Sequence, residues 1–465
     1  MGGVEALFEP SSVAVVGASR RPGKLGRVIL EQLRSSFRGR VFPVNPKADS
    51  VAGLRSYPSV SSIPERVDLA VIAVPAEACP GVVEDCGAAG VEVAIVISGG
   101  FSEVGRRDLE QELVSRARRW GLRIVGPNCM GVYRPSSGLD TLFTPSDLLP
   151  RPGPGRVAIL TQSGSFGGAV MAWLAAERVG LSAFVSYGNR ADVDEADLLE
   201  YLAGDPETGA IAIYLEGARD GRRLASAISE VSPEKPVVVF KAGRTSSGSR
   251  AVLSHTGSLA GSDAAYEAAF KQSGAIRAMS TQQFLDFSRT LAVQGPSRGP
   301  RVGVITNGGG YGVAAVDALV ERGMTVPEPG PSLRERLRSL LPPYYPVGNP
   351  QDLTGSSTAD QYGAAMRAFA ESGEVDGLMV IALFSVPLLD PSRTADYVLE
   401  VRREFDIPLV VVSLEVNEGA ARAIESMEEG GVPVFPSPER AADALFALVR
   451  YGEVRRRAEV TRWRP

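Results

Sequence analysis

A chain of 465 residues carries one histidine, His255, in the stretch LSHTGSLAGSDAAYEAAF that begins at Leu253. Its neighbours Ser254, Thr256, Gly257 and Ser258 are small, and Ser262 with Asp263 reads as the N-cap of a helix over DAAYEAAFKQSG. A loop of small residues lets a bulky anion approach, and helix N-termini supply partial positive charge. A second turn of this kind, Gln162-Ser163-Gly164-Ser165, opens another helix. Two helix starts and one imidazole suit a phosphoryl group carried on the histidine itself. That chemistry needs a neutral ring with a free nitrogen to attack phosphorus. It also needs a carboxylate on the other nitrogen to fix the tautomer and support the transient positive charge. Glu216, at the carboxyl end of the strand AIAIYLEG, is the carboxylate best placed for it. From the residues alone a histidine without chemistry is the competing reading. A Ser-His-Asp hydrolase is disfavoured, because Ser163 stands where the G-x-S-x-G elbow has its first glycine.

Near the N-terminus the turn VVGASRRPGKLGRVIL follows a strand and opens a helix, the context that favours phosphate binding. It is not G-x-G-x-x-G, since Ala18 and Ser19 follow Gly17. It is not a P-loop either. Gly17 to Gly23 is one residue too long, and Leu25 replaces the Ser or Thr that would hold Mg²⁺. A dinucleotide fold would end its second strand in an acidic residue, whereas here that strand ends in Asn45-Pro46-Lys47. Lys47 welcomes a phosphate on or near a ribose, which points away from NAD and toward NADP or coenzyme A. A tight turn with no ligand is the alternative.

The elements that must hold these residues are short β-branched runs alternating with helical patterns. The first third has strands at 12–17, 40–44, 68–74, 92–98 and 123–126, with helices at 26–36, 77–89 and 106–120. A Pro/Gly-rich stretch follows at 135–155 and reads as a linker or crossover. A second unit starts at Arg156 with RVAILTQSGSFGGAVMAWL and a third at Arg301 with RVGVITNGGGYGVAAVDAL. At an offset of 145 Arg156, Val157, Thr161, Gly164 and Gly167 match Arg301, Val302, Thr306, Gly309 and Gly312. The expected class is α/β: a Rossmann-like domain over 1–133, a linker over 134–154, and two related flavodoxin-like parallel-sheet domains over 155–295 and 296–465.

Composition narrows the field. A formal net charge of −5 leaves no basic stripe for nucleic acid. Cys79, Cys86 and Cys129 lack metal spacing and read as buried thiols of a reducing compartment. The segment MGGVEALFEP has no basic n-region or apolar run, and Ala6 stands where a myristoylation signal needs Ser or Thr. With no apolar stretch long enough for a bilayer, the chain reads as cytoplasmic.

SVAVVGASRRPGKLG, VFPVNPK, AVPAE, ISGGFSE, GPNCMG, TQSGSFGG, YGNRADVDEADLLEYL, YLEG, KAGR and SHTGSLAG follow one another in this order between Ser12 and Gly261. This set resembles the α subunits of ADP-forming acyl-CoA synthetases, of the succinyl-CoA synthetase superfamily. The resemblance implies a first domain that binds coenzyme A. Gly17, Ala18, Ser19, Arg20 and Lys24 would face the CoA phosphates, Asn45 and Lys47 would follow strand two, and Val74, Pro75 and Asn128 would complete the site. Ile97, Ser98 and Gly99 would line the pantetheine arm. His255 would be the phosphohistidine with Glu216 its partner, and Ser163, Gly164, Ser165 and Gly257 would cradle phosphate. The implied reaction turns acyl-CoA, ADP and phosphate into carboxylic acid, ATP and CoA. ADP, ATP and Mg²⁺ would sit on an ATP-grasp β subunit, in an α₂β₂ complex. A CoA-binding regulatory protein without phosphotransfer is the alternative the same motifs allow.

Overall fold

The computed structural model describes residues 3–256 and 262–462. The chain divides into two compact units, Met1–Met279 and Ser280–Pro465.

The first unit holds two large sheets. In the first sheet the strands lie in the order Arg40–Val44, Ser12–Val16, Leu69–Ile72, Val93–Val96, Arg123–Val125, all parallel. Both faces are covered, which is why these strands read as unbroken apolar runs. Ala14, Val16 and Ile72 pack on one side, and Val13, Val15 and Val71 on the other. The second sheet runs Ile276–Ala278, Val237–Lys241, Ala210–Leu215, Pro154–Thr161, Leu181–Ser186 in parallel. Gly131–Arg134 then joins it antiparallel, with Leu139–Asp140 at the edge. One apolar cluster joins the sheets: Val13, Val71 and Ile95 of the first share it with Leu160, Val185 and Ile213 of the second. The Pro/Gly-rich crossover is tied down by Arg151, which reaches Asp140 at 2.8 Å, the Thr144 carbonyl at 2.7 Å and Gln32 at 2.8 Å.

The second unit has a parallel sheet ordered Gln351–Asp352, Val302–Thr306, Gly377–Ile381, Leu409–Val412, Val434–Phe435. Its first strand lies between its second and third, as Pro154–Thr161 lies between Leu181–Ser186 and Ala210–Leu215. The repeat read from sequence extends to atomic detail. The helices Gly164–Ala176 and Gly309–Glu321 keep the same offset and length. Thr161 Oγ1 accepts from the Ser163 amide at 3.2 Å and donates to its carbonyl at 2.9 Å, and Thr306 does the same to Gly308 at 3.0 Å and 3.0 Å. Among the described residues no helix is long and apolar enough to cross a membrane.

One expected element differs. The sequence around His255 reads as a loop, yet the helix Ser246–Thr256 carries its backbone. Thr245 starts that helix: its Oγ1 accepts from the Gly248 amide at 3.0 Å and its carbonyl accepts from the Ser249 amide at 2.8 Å. Capping outweighs the weak helix preference of the serines and glycine that follow. Ser262 is the N-cap of Asp263–Ser273 as expected, though its side chain makes no capping bond, and Asp263 is taken by Arg277.

Gly17 ends the first strand with φ +89°, and a Cβ built there lies 2.4 Å from the Ala73 carbonyl oxygen. Strained backbone and close contact should both penalise Gly17→Ala, by about 1–3 kcal/mol. Urea unfolding should report the loss, and an unchanged midpoint would show that the turn relaxes freely.

Candidate active site

The carboxyl ends of the two sheets in the first unit meet at a cavity of about 430 Å³. Ile97, Asn128, Ser163, Gly164, Ser165 and Glu216, all singled out from the sequence, line it. The remaining wall includes Leu25, Ser102, Glu103, Met130, Phe143, Gln162, Asn189 and Arg190.

On one side the helix Gly164–Ala176 starts at the cavity wall. Ser163 is its N-cap, accepting from the Phe166 amide at 3.3 Å, and its hydroxyl lies 3.1 Å from that of Ser165. Backbone N–H groups and the helix dipole at such a start favour an anion. Glu216 is nearly fully buried beside them, and the Tyr214 hydroxyl lies 3.5 Å from its Oε1. Gln162 fixes the Glu216 backbone: its Oε1 accepts from the amides of Glu216 at 2.5 Å and Gly217 at 3.2 Å, and its Nε2 donates to the Gly217 carbonyl at 2.9 Å. The sequence reading placed Gln162 in the turn without a role. The internal repeat held the missed signal, because Asn307, 145 residues later, makes the same clamp on Leu383 at 3.1 Å and 3.0 Å.

On the other side lies the switch point of the first sheet, where the order of connections reverses. The Gly17 amide donates to the Val44 carbonyl at 3.1 Å, and Asn45 Nδ2 donates to the Ala18 carbonyl at 2.7 Å. The Lys47 amide donates to Asn45 Oδ1 at 2.8 Å, and the Arg21 amide to Ser19 Oγ at 3.1 Å. Ser98 Oγ donates to the Val74 carbonyl at 2.5 Å. The turns that carry Gly17, Ala18, Ser19, Asn45 and Lys47 are thus tied together, and Val74 is tied to Ser98. Arg20, Lys24, Lys47, Pro75 and Gly99 are exposed at this edge, outside the cavity wall. Gly257 lies outside the described residues, as does the side chain of His255. The Ser246–Thr256 helix approaches the Ser102–Val104 turn, whose Ser102 and Glu103 belong to the cavity wall.

Several charges around the cavity are paired or perturbed by burial. The Arg190 guanidinium donates to the Gly217 carbonyl and lies 3.9 Å from Glu195. Burial pushes the Glu195 carboxyl up to about 7, against the pull of Arg190. Lys241 is 1% exposed, donates to the Ala242 carbonyl at 2.5 Å and stands 4.8 Å from the centre of the Tyr266 ring. Burial brings its ammonium down to about 8, with Asp263 opposing. Cys129 also lines the cavity, but burial raises its thiol to about 12, so it is no thiolate nucleophile at neutral pH. Among the described residues no cluster of His, Cys, Asp and Glu could hold a metal ion.

Residues 11–135 match the model of a CoA binding domain, 154–291 that of a succinyl-CoA ligase like flavodoxin domain, and 302–457 that of a ligase-CoA domain. The α subunit of acetate–CoA ligase (ADP-forming) I from Pyrococcus furiosus is 43% identical over 465 residues, 97% of this chain and 98% of that one. The chain belongs to the ADP-forming acetate–CoA ligase family. A solved member, acetyl-coenzyme A synthetase 1 of Ca. Korarchaeum cryptofilum in complex with phosphate and ADP, has a TM-score of 0.91 at 41% identity and covers 99% of both chains. The 4-hydroxybutyrate–CoA ligase (ADP-forming) of Nitrosopumilus maritimus is 30% identical over 452 residues, and there this chain spans 64% of the relative's length. The resemblance drawn from the motifs holds, and with it the α/β fold class. ADP-forming ligase chemistry with coenzyme A and a nucleotide is thereby the chain's class of activity, and kinship to proteins named α subunits implies a partner.

Glu195 offers a test of the burial argument. Its folded-state value near 7 exceeds the ordinary carboxylate value, so the folded chain keeps a proton that the unfolded chain sheds. Its contribution to stability is therefore fully present below the ordinary value and lost as pH rises toward 7. Glu195→Gln, which cannot ionise, should match the unaltered chain near pH 4 and exceed it at pH 8, by up to about 3 kcal/mol. Urea unfolding at both pH values checks this, and equal stability at pH 8 would contradict it.

Proposed function

We propose that the chain is the catalytic α subunit of an ADP-forming acyl-CoA synthetase, converting acyl-CoA, ADP and phosphate into carboxylic acid, ATP and CoA. The observation that carries this reading is the shared cavity. Ile97 and Asn128, matched to the CoA side, and Ser163, Gly164, Ser165 and Glu216, matched to the phosphate side, line one space.

In this reading Gly17, Ala18, Ser19, Arg20, Lys24, Asn45 and Lys47 hold the CoA phosphates, and Val74, Pro75, Ser98 and Gly99 guide its arm toward the cavity. Phosphate rests on the helix start at Ser163–Ser165. One of its oxygens bonds to the thioester carbonyl carbon, the C–S bond breaks, and the phosphate proton ends on sulfur, giving acyl phosphate and CoA. A His255 ring nitrogen then attacks phosphorus and the carboxylate leaves. Glu216 holds the other ring nitrogen and offsets the positive charge of the phosphohistidine. Gly257 belongs to the same cradle.

The phosphoryl group passes to ADP on a separate ATP-grasp β subunit, which also holds Mg²⁺, within an α₂β₂ complex in the cytoplasm. Kinship to proteins named α subunits supports a partner, and three free buried thiols suit a reducing compartment. Mixed with that partner and γ-labelled ATP, the chain should acquire an acid-labile label that is absent from His255→Asn. Label that persists in the variant would overturn the reading.

A further inference from the structure

The loop that follows Val93–Val96 and the loop that follows Leu181–Ser186 belong to different sheets, yet one amide joins them. Asn189 Nδ2 lies 2.6 Å from Glu103 Oε2, 2.9 Å from Glu110 Oε2 and 3.2 Å from Ser102 Oγ. Its Oδ1 accepts from Asn128 Nδ2 at 3.3 Å. Glu103 passes the link on, because its other oxygen accepts from the amides of Gly100 at 2.5 Å and Phe101 at 3.2 Å. Asn128 does so as well, since its amide donates to the Ser98 carbonyl at 2.9 Å. Burial would raise the Glu103 carboxyl, but bonds from Asn189 and the Gly100 amide outweigh it and hold the group below its ordinary range. Glu103 is therefore an anion at neutral pH, and Asn189 is the donor that satisfies it.

This arrangement bears on one half of the reaction only. The Ile97–Gly100 segment belongs to the CoA side, and Asn189 stands between Gly188 and Arg190 on the wall shared with the phosphate turn. Acyl transfer needs sulfur, carbonyl carbon and phosphate oxygen in register across both loops. Phosphoryl transfer from ATP to the histidine involves neither coenzyme A nor its thioester. We propose, resting on the functional reading above, that Asn189 is a positioning residue that holds the CoA-side loop in register with the phosphate turn through Glu103, and that acyl transfer depends on this link while histidine phosphorylation does not.

The test uses the full chain with its ATP-grasp partner and two readouts: label on the chain from γ-labelled ATP, and ATP formed from acetyl-CoA with its KM and kcat. Asn189→Asp replaces the donor with a third carboxylate at nearly constant shape. It should keep the histidine label within about twofold, while kcat/KM for acetyl-CoA falls by at least about tenfold. Glu103→Gln, which keeps an acceptor for Gly100 but faces Asn189 with an amide, should show the same split. The triple variant Glu103→Gln/Glu110→Gln/Asn189→Asp reverses donor and acceptor across both carboxylate contacts and should recover much of the lost acyl transfer. Label and acyl transfer both intact in Asn189→Asp would overturn the proposal alone, as would equal loss of both in chains that remain folded. Absence of label from the unaltered chain would overturn the functional reading and the proposal with it.

Discussion

Between residues 124 and 128 on one side and 187 and 193 on the other, two backbones run so close that one position has no room for a side chain. A Cβ at Gly188, where φ is +49°, would lie 2.3 Å from the Asn128 carbonyl oxygen and 2.4 Å from that of Pro127. Beside it the amides of Asn189, Ala191 and Val193 donate to the carbonyls of Pro127, Gly126 and Ile124 at 2.9 Å, 2.9 Å and 3.0 Å. These bonds lock the carboxyl end of one parallel sheet to the carboxyl end of the next. Carboxyl ends are where α/β sheets expose loops and helix starts. Locking two of them face to face creates one cavity, lined by Ile97, Glu103 and Asn128 from the first sheet and by Ser163, Ser165 and Glu216 from the second.

The electrostatics follow from that closure. Charges buried in the walls around the cavity must be paired or lose their charge. Glu195 sits at the second choice, its carboxyl near 7 although Arg190 is 3.9 Å away. Lys241 is displaced the other way, and its ammonium rests against the Tyr266 ring and a backbone carbonyl. Glu103 keeps its charge because Asn189 and two backbone amides satisfy it. The Ser163 helix start adds positive potential that needs no titratable group, which suits a substrate that arrives and leaves as an anion.

Local pattern carried much of this into the sequence. The strands of the first unit were legible because burial on both faces leaves unbroken β-branched runs. The repeat was legible because the same strand, turn and helix must place a Thr and a Gly at fixed steps, and the Thr161 and Thr306 bonds give that spacing its reason. The clamp made by Gln162 was missed, although its counterpart Asn307 in the repeat marks the position. What stayed hidden is long-range. Glu103 and Asn189 meet across 86 residues, and nothing near either marks the other. The helical setting of the His255 backbone was missed because its residues favour loops one by one, while the cap at Thr245 favours a helix collectively.

The central claim is that phosphate attacks the thioester of acyl-CoA within one cavity, in a step that precedes any chemistry at the histidine. Arsenate tests it most directly, since acyl arsenates hydrolyse at once and make the first step irreversible. Given acetyl-CoA and arsenate without nucleotide, the complex carrying His255→Asn should still release CoA thiol in proportion to arsenate while forming no ATP in the phosphate reaction. If thiol release in that complex shows no dependence on arsenate, phosphate does not meet the thioester there and the account fails.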